Sequence, residues 1–348
     1  MGILTSLPAI GQVDSAAFHA SCHCMSNLTP AGVMISHLHP KGESMFSYRY
    51  MSMENQGLQS GRSQIDEMDV YNNYIMNSDK MRMDMHMLMM MYGITDRLTI
   101  MEMLNYNVNS MDMSMLTAHN HDISGESIQM NDFTMKTQGM GDAKIYLMYG
   151  LVKKIHHQLI VSGGCSLPMG SIQVLGKKDN LMYAGQRLPY MMQLGSGTFD
   201  FLSNLNYTFQ QRKMAFAFQL SSVIRTSYNI NNYVLGNGIG INTWYAYNWW
   251  NNFSNSIRFD ISSMGKIQGR DKTVYSYNEI GSNTNNYGGQ RINLFLGMAY
   301  NFNTGFIKNN RISLEYGLPL YQNINGIQLK AKSIFNVTWN YSFSTKKK

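Results

Sequence analysis

The chain has 348 residues, of which 44% are hydrophobic and only 14% charged, with 31 methionines and 22 tyrosines. A soluble domain carries roughly 25% charged residues, and a helical membrane protein needs apolar runs of about 20 residues, which this sequence lacks. The net charge of +7 is scattered rather than drawn into a basic stripe, which argues against a nucleic-acid partner.

In chain order, residues 1–19 read as the remnant of an export signal and the start of a mature chain: the apolar run Ile3 to Gly11 precedes Gln12-Val13-Asp14-Ser15. Residues 20–44 mix Cys, His, Pro and Gly without periodicity and read as a periplasmic extension or a small plug. From Met45 onward the sequence alternates with period 2, the pattern of half-buried strands. Strands are predicted near 45–53, 84–92, 98–107, 138–150, 156–167, 192–209, 213–227, 233–249, 254–266, 289–302, 310–321 and 329–343. The last is the clearest. Leu329, Ala331, Ser333, Phe335, Val337, Trp339, Tyr341 and Phe343 share one face, and Lys330, Lys332, Ile334, Asn336, Thr338, Asn340 and Ser342 the other. The first face suits lipid and the second a wet lumen. Residues 344–348 form a basic tail.

The fold class expected is all-β: a transmembrane antiparallel β-barrel of about twelve strands over 45–343. Lipid does not tolerate open sheet edges, and closure removes them. Short links near Gly93–Arg97, Val152–Ile155, Gln210–Arg212, Trp250–Phe253 and Asn303–Asn309 alternate with longer ones. That asymmetry predicts short periplasmic turns, longer outer loops and both termini in the periplasm. The compartment expected is the bacterial outer membrane, with its lipid and lipopolysaccharide as surroundings.

Methionine is the anomaly. Every odd position from Met81 to Met91 is methionine, and side chains two apart on a strand share a face at a spacing of about 6.6–6.8 Å. Met51, Met53, Met85, Met87, Met89, Met91, Met101 and Met103 lie opposite the better lipid-facing sets, so they are expected to line the lumen. This assignment points Glu102 at lipid. His119 and His121 fall in a predicted outer loop, and Cys22, Cys24, His37 and His39 in the N-terminal extension. Thioether and thiolate sulfur are soft ligands that suit Cu(I), and imidazole suits copper and zinc. These positions are candidate ligands for a soft metal ion, copper as Cu(I) or Cu(II), with a periplasmic metal-handling protein as partner. Methionine is equally a flexible apolar filler. Cys165 stands alone on a predicted strand as a packing or lipid-face residue.

The predicted lumen also holds mixed charges: Arg49, Asp142, Lys144, Asp200, Arg225, Arg258, Asp260, Arg291, Arg311, Glu315, Lys330 and Lys332. These suit either a polar solute or a closed lumen locked by ion pairs. No Ser-His pairing suggests a barrel hydrolase, so no enzyme is expected.

Several runs carry a family resemblance over roughly 31–343. They are the runs from Ala31 to Met53, from Met90 to Leu104, from Gly139 to Lys144 and from Leu194 to Thr198. They resemble a family of bacterial outer-membrane transporter barrels, similar to the meta-pathway phenol-degradation outer-membrane family. The resemblance implies transport and a role in copper or other heavy-metal handling. Its motif methionines match Met51, Met53, Met101 and Met103, while Glu102 departs from the small residue it implies. Two functional readings follow. One is an outer-membrane channel for soft metal ions along a methionine-lined lumen. The other is a channel for small organic solutes, or a non-conducting structural barrel.

Overall fold

The computed structural model describes residues 28–122, 125–177, 183–250, 252–274 and 279–344; the side chains of 117–122, 125–129 and 344 lie outside that description. The chain forms β1 (Glu43–Gly61), β2 (Ser63–Gln64), a one-turn helix α1 (Glu67–Val70), β3 (Met76–Gly93), β4 (Leu98–Asp122), β5 (Gly125–Met140), β6 (Ala143–Lys153), β7 (His157–Leu167), β8 (Asp200–Gln211), β9 (Met214–Arg225), β10 (Tyr233–Val234), β11 (Gly238–Trp250), β12 (Phe253–Met264), β13 (Gln268–Gly269), β14 (Gly289–Phe302) and β15 (Asn310–Ser344). No helix is long and apolar enough to cross a membrane.

Eleven of these strands close into an antiparallel ring in the order β15-β14-β12-β11-β9-β8-β7-β6-β4-β3-β1, and β1 pairs with β15 to complete it. β15 is a hairpin: Asn310 to Ile324 pairs with β14, and Ile327 to Ser344 pairs with β1. Gln322 and Ala331 exchange two side-chain–backbone hydrogen bonds across it, at 2.8 and 2.9 Å, and Gly326 turns it with φ +56. The expectation of about twelve strands counts the two arms separately. β5 continues the line of β6 beyond a break at Gly141-Asp142: β6 pairs with Leu98 to Met103 of β4, and β5 with Tyr106 to Asp122. β10 and β13 pair with each other outside the ring.

The alternation decides which face meets lipid. Leu88, Met90, Leu104, Leu147, Phe201, Phe216, Phe218, Leu296, Leu318, Phe335 and Trp339 are all exposed on the outside. Their neighbours in sequence are buried inside. Polar residues fill much of that interior, as in a barrel with a wet lumen.

The connections 94–97, 154–156, 212–213, 251–252 and 303–309 gather at one end with both ring termini, since Glu43 pairs with Ser344. The longer connections 62–75, 168–199, 226–237 and 265–288 gather at the other.

Three sequence expectations are corrected. Residues 108–137 are not a long loop; β4 and β5 extend as a hairpin over that span, because Met111, Met113 and Met135 alternate inward and are buried. Residues 233–237 do not belong to the following strand, which starts at Gly238. Lys330 and Lys332 do not point into the lumen. The register of β1 with β15 shifts at Lys332, where Ser333 pairs with Glu54 and Ala331 with Asn55. One extra residue exchanges the two faces of a strand. Leu329 and Ala331 are therefore buried, Lys332 bonds Gln56 at 2.8 Å, and Lys330 reaches Gln64 at 3.3 Å.

Candidate functional site

The interior falls into three layers. The lowest, at the short-turn end, is filled by residues 28–42. Buried carbonyls need partners, and here side chains around the ring supply them. Arg49 donates to Gly32 O (3.2 Å) and Val33 O (2.9 Å), Arg311 to Thr29 O (2.5 Å), Thr338 to Ala31 O (2.9 Å), Gln219 to Met34 O (2.6 Å) and Asn206 to Ser36 O (3.2 Å). Leu28 and Val33 pack on Ala215, Ala217, Trp244 and Ala246; Ile35 and Leu38 pack on Met91, Met101, Met148 and Ile160. A segment that touches β1, β3, β4, β6, β7, β8, β9, β11 and β15 at once lies within the ring.

At its tip, Arg258 and Glu315 pair through bonds of 3.0 and 3.1 Å, Gly32 N donates to Glu315 at 2.5 Å, and Arg258 also donates to Asn242 at 2.7 Å. Asp260 lies 3.9 Å from Arg258. A Cβ on Gly32 would collide with both Arg258 and Glu315.

The middle layer is methionine. Met87, Met89 and Met103 are buried together, with Met34, Met51 and Met85 packed against them. The register explains the grouping: Met51 pairs with Met85, and Met89 with Met103. Met91 and Met101 pair one step nearer the short turns, and Met53 pairs with Met83 one step further up. The ladder faces inward, and Glu102 is exposed on the outer face.

Above it, the long loops descend. Met76, Met81, Met111, Met113 and Met135 form a core with Tyr183, Leu188, Met192 and Ile280. Between loops and methionine layer lies a cavity of about 490 Å³. Met53, Met81, Met83, Met191 and Leu329 form one side of it. Ser221, Gly238, Gly240, Ser262 and Gly289 form the other, where small side chains leave the space open, and Arg291 projects into it. A second, polar cavity of about 260 Å³ lies beside Asn105, Asp142, Lys144, Asp200 and Arg225. Its carboxylates are engaged: Asp142 accepts from Gly170 N, Ser196 N and Ser196 Oγ, and Asp200 from Thr198 and Arg225.

Of the remaining candidate ligands, only His37 and His39 have described side chains. His37 and His39 lie in the buried segment with ring centroids 5.0 Å apart. His37 Nδ1 is 3.1 Å from Ser36 Oγ, and His39 Nδ1 is 3.2 Å from Glu43. His119 and His121 belong to the far end of β4 rather than a loop, and their side chains lie outside the described set. Cys22 and Cys24 also lie outside the described residues. Among the described residues, no three His, Cys, Asp or Glu groups converge on a metal site. Cys165 is a free, exposed thiol on the outer wall.

Periodicity placed the methionine ladder and Arg49, Arg258, Arg291, Arg311 and Glu315 inside. It missed the loop residues Met191 and Tyr287, which line the cavity, and the buried loop residue Glu279. Glu279 is 1% exposed beneath the loops, bonded by Tyr183 and by Ser282 at 3.2 Å. Burial pushes its carboxyl up to about 7. An irregular loop offers no pattern from which such a residue can be picked.

No family model matches the chain, and no curated protein matches its sequence. Solved structures match its shape. The COG4313 outer membrane channel from Pseudomonas putida F1 superposes with a TM-score of 0.58 at 15% identity, over 88% of this chain and 97% of that one. A Pseudomonas aeruginosa FadL homologue matches at 0.44 and 8% identity, over 91% and 95%. The P. putida toluene transporter TodX matches at 0.41 and 10% identity, over 89% and 92%. The chain has the fold of an outer-membrane β-barrel. The narrower resemblance to the phenol-degradation family rests on the sequence motifs alone.

Proposed function

We propose that the barrel is a channel for small, largely apolar organic solutes, which occupy the 490 Å³ cavity between the methionine layer and the long loops. That cavity is the observation that carries the reading. Ligand sites are typically concave, of about 300–1,000 Å³, and mostly apolar with a few placed polar groups. Thioethers are polarisable and favour contact with aromatic rings. Residues 28–42 act as a plug below the cavity, and a solute leaves toward the short-turn end when that segment shifts. The test is uptake of benzyl alcohol into proteoliposomes holding the purified barrel, beside a Ser262→Phe variant that fills the cavity. Uptake above empty vesicles, lowered in the variant, is expected. Uptake equal to empty vesicles would remove the reading.

A second reading is kept by one observation: Met34, Met51, Met85, Met87, Met89 and Met103 pack as one thioether cluster. A soft ion such as Cu(I) binds thioethers, and a series of weak sites would let it enter and leave.

A further inference from the structure

We infer that the 490 Å³ cavity selects small apolar monocarboxylates, aromatic ones above all, by pairing their carboxylate with Arg291. The inference rests on the organic-solute reading above and names its substrate class.

Arg291 differs from the other arginines of the lumen. Arg258 is paired with Glu315, Arg225 with Asp200, and Arg49 and Arg311 with carbonyls of residues 28–42. Arg291 lines the cavity and makes no ion pair or side-chain hydrogen bond among the described residues. An arginine stays charged in a protein and presents a planar fork of donors. Half-buried without a counter-charge, it is a costly group. A carboxylate offsets that cost through two parallel charge-assisted hydrogen bonds.

The rest of the cavity is arranged for the other end of such a molecule. Met53, Met81 and Met83 face it from β1 and β3, Met191 descends from the loop before β8, and among the described residues no carboxylate lines the cavity. A solute with one anionic head and an apolar body meets one cation and a bed of thioethers. A neutral hydrocarbon gains only the second contact, and a dianion or a sugar leaves polar groups without partners.

The test uses two probes of nearly equal shape, benzoate and benzyl alcohol, titrated into the purified barrel in detergent and followed by ligand-observed NMR. The wild type is expected to bind benzoate the more tightly. Arg291→Met is expected to weaken benzoate by roughly tenfold or more, the scale of a lost charged hydrogen bond, and to leave benzyl alcohol within about twofold. Arg291→Lys, which keeps charge and loses the fork, is expected to fall between. Retained benzyl alcohol binding shows that each variant is folded. If both probes bind alike and Arg291→Met changes neither, the carboxylate assignment is overturned while the organic-solute channel stands. If neither probe binds the wild type, both fall. Should Arg291→Met fail to fold, the wild-type preference decides: tighter benzyl alcohol binding overturns the assignment.

Discussion

Arg258 and Glu315 stand on β12 and β15, and their paired bonds of 3.0 and 3.1 Å form the bracket on which Gly32 rests. Both side chains are almost wholly buried, at 4% and 0% exposure. The charge of Glu315 is also felt by Arg49 and Arg311, which hold the same segment by its carbonyls.

Removing that carboxylate leaves the buried Arg258 guanidinium with only Asp260, 3.9 Å away, as a counter-charge among the described residues. Glu315→Gln is therefore expected to destabilise the barrel by roughly 3–5 kcal/mol, the usual cost of breaking a buried pair from one side. Denaturant unfolding of the refolded protein measures it. With Cys22, Cys24 and Cys165 changed to Ser, a Val33→Cys reporter, at a position buried in the wild type, should also react faster with maleimide in the Glu315→Gln background. Unchanged stability and unchanged labelling would mean that the Arg258–Glu315 pair is not what holds residues 28–42, leaving their carbonyl hydrogen bonds and packing to do so.

The methionine layer separates the two functional readings. Changing Met85, Met87, Met89 and Met103 to Leu conserves volume, and such swaps cost less than about 1.5 kcal/mol each. The organic-solute reading expects benzyl alcohol uptake to persist in this variant and the wild type to retain no Cu(I) after desalting under reducing conditions. Stoichiometric Cu(I) on the wild type that disappears in the variant would move the assignment to the soft-ion channel.

How far the fold was legible depended on period 2 and on where that period breaks. Phe335, Val337, Trp339 and Tyr341 alternate with Ile334, Asn336 and Thr338, and the sheet obeys them. Strict alternation carried past Lys332 puts Leu329 and Ala331 on the lipid face, where they are not. Nothing in the local sequence marks the extra residue. On β1 the matching irregularity lies between Asn55 and Leu58, and there a trace exists: Gly57 with φ +82, a conformation glycine adopts freely. The site was legible in the same measure. The inward methionines and arginines follow from strand parity. The lining from the loops, Met191 and Tyr287, and the buried carboxyl of Glu279 do not, because they come from segments whose fold depends on the barrel mouth beneath them.

The bulge gives its own prediction. Deleting Lys332 leaves Ala331 facing in and Ser333 facing out, so the barrel should still fold and close. Deleting Val337 turns every later side chain to the wrong face and should abolish folding. Heat-modifiable migration on gels reads both. If the two deletions behaved alike, the register shift at Lys332 would not be the feature that sets the faces.

Glu279 makes the loop cap sensitive to pH. It lies in the connection 265–288, where burial raises its carboxyl from 4.5 to about 7 although Tyr183 and Ser282 donate to it. The docked loop thus holds a proton that the free loop releases. With the docked pKa above the free one, docking is favoured fully below about pH 4.5 and weakens as pH rises through about 7. The change across that window is of the order of 3 kcal/mol. Exposure of the loop to protease should accordingly increase between pH 5 and pH 8. Glu279→Gln keeps the shape and cannot ionise, so its protease sensitivity should stay flat and near the low-pH value of the wild type. An equal rise with pH in Glu279→Gln would assign the sensitivity to another group.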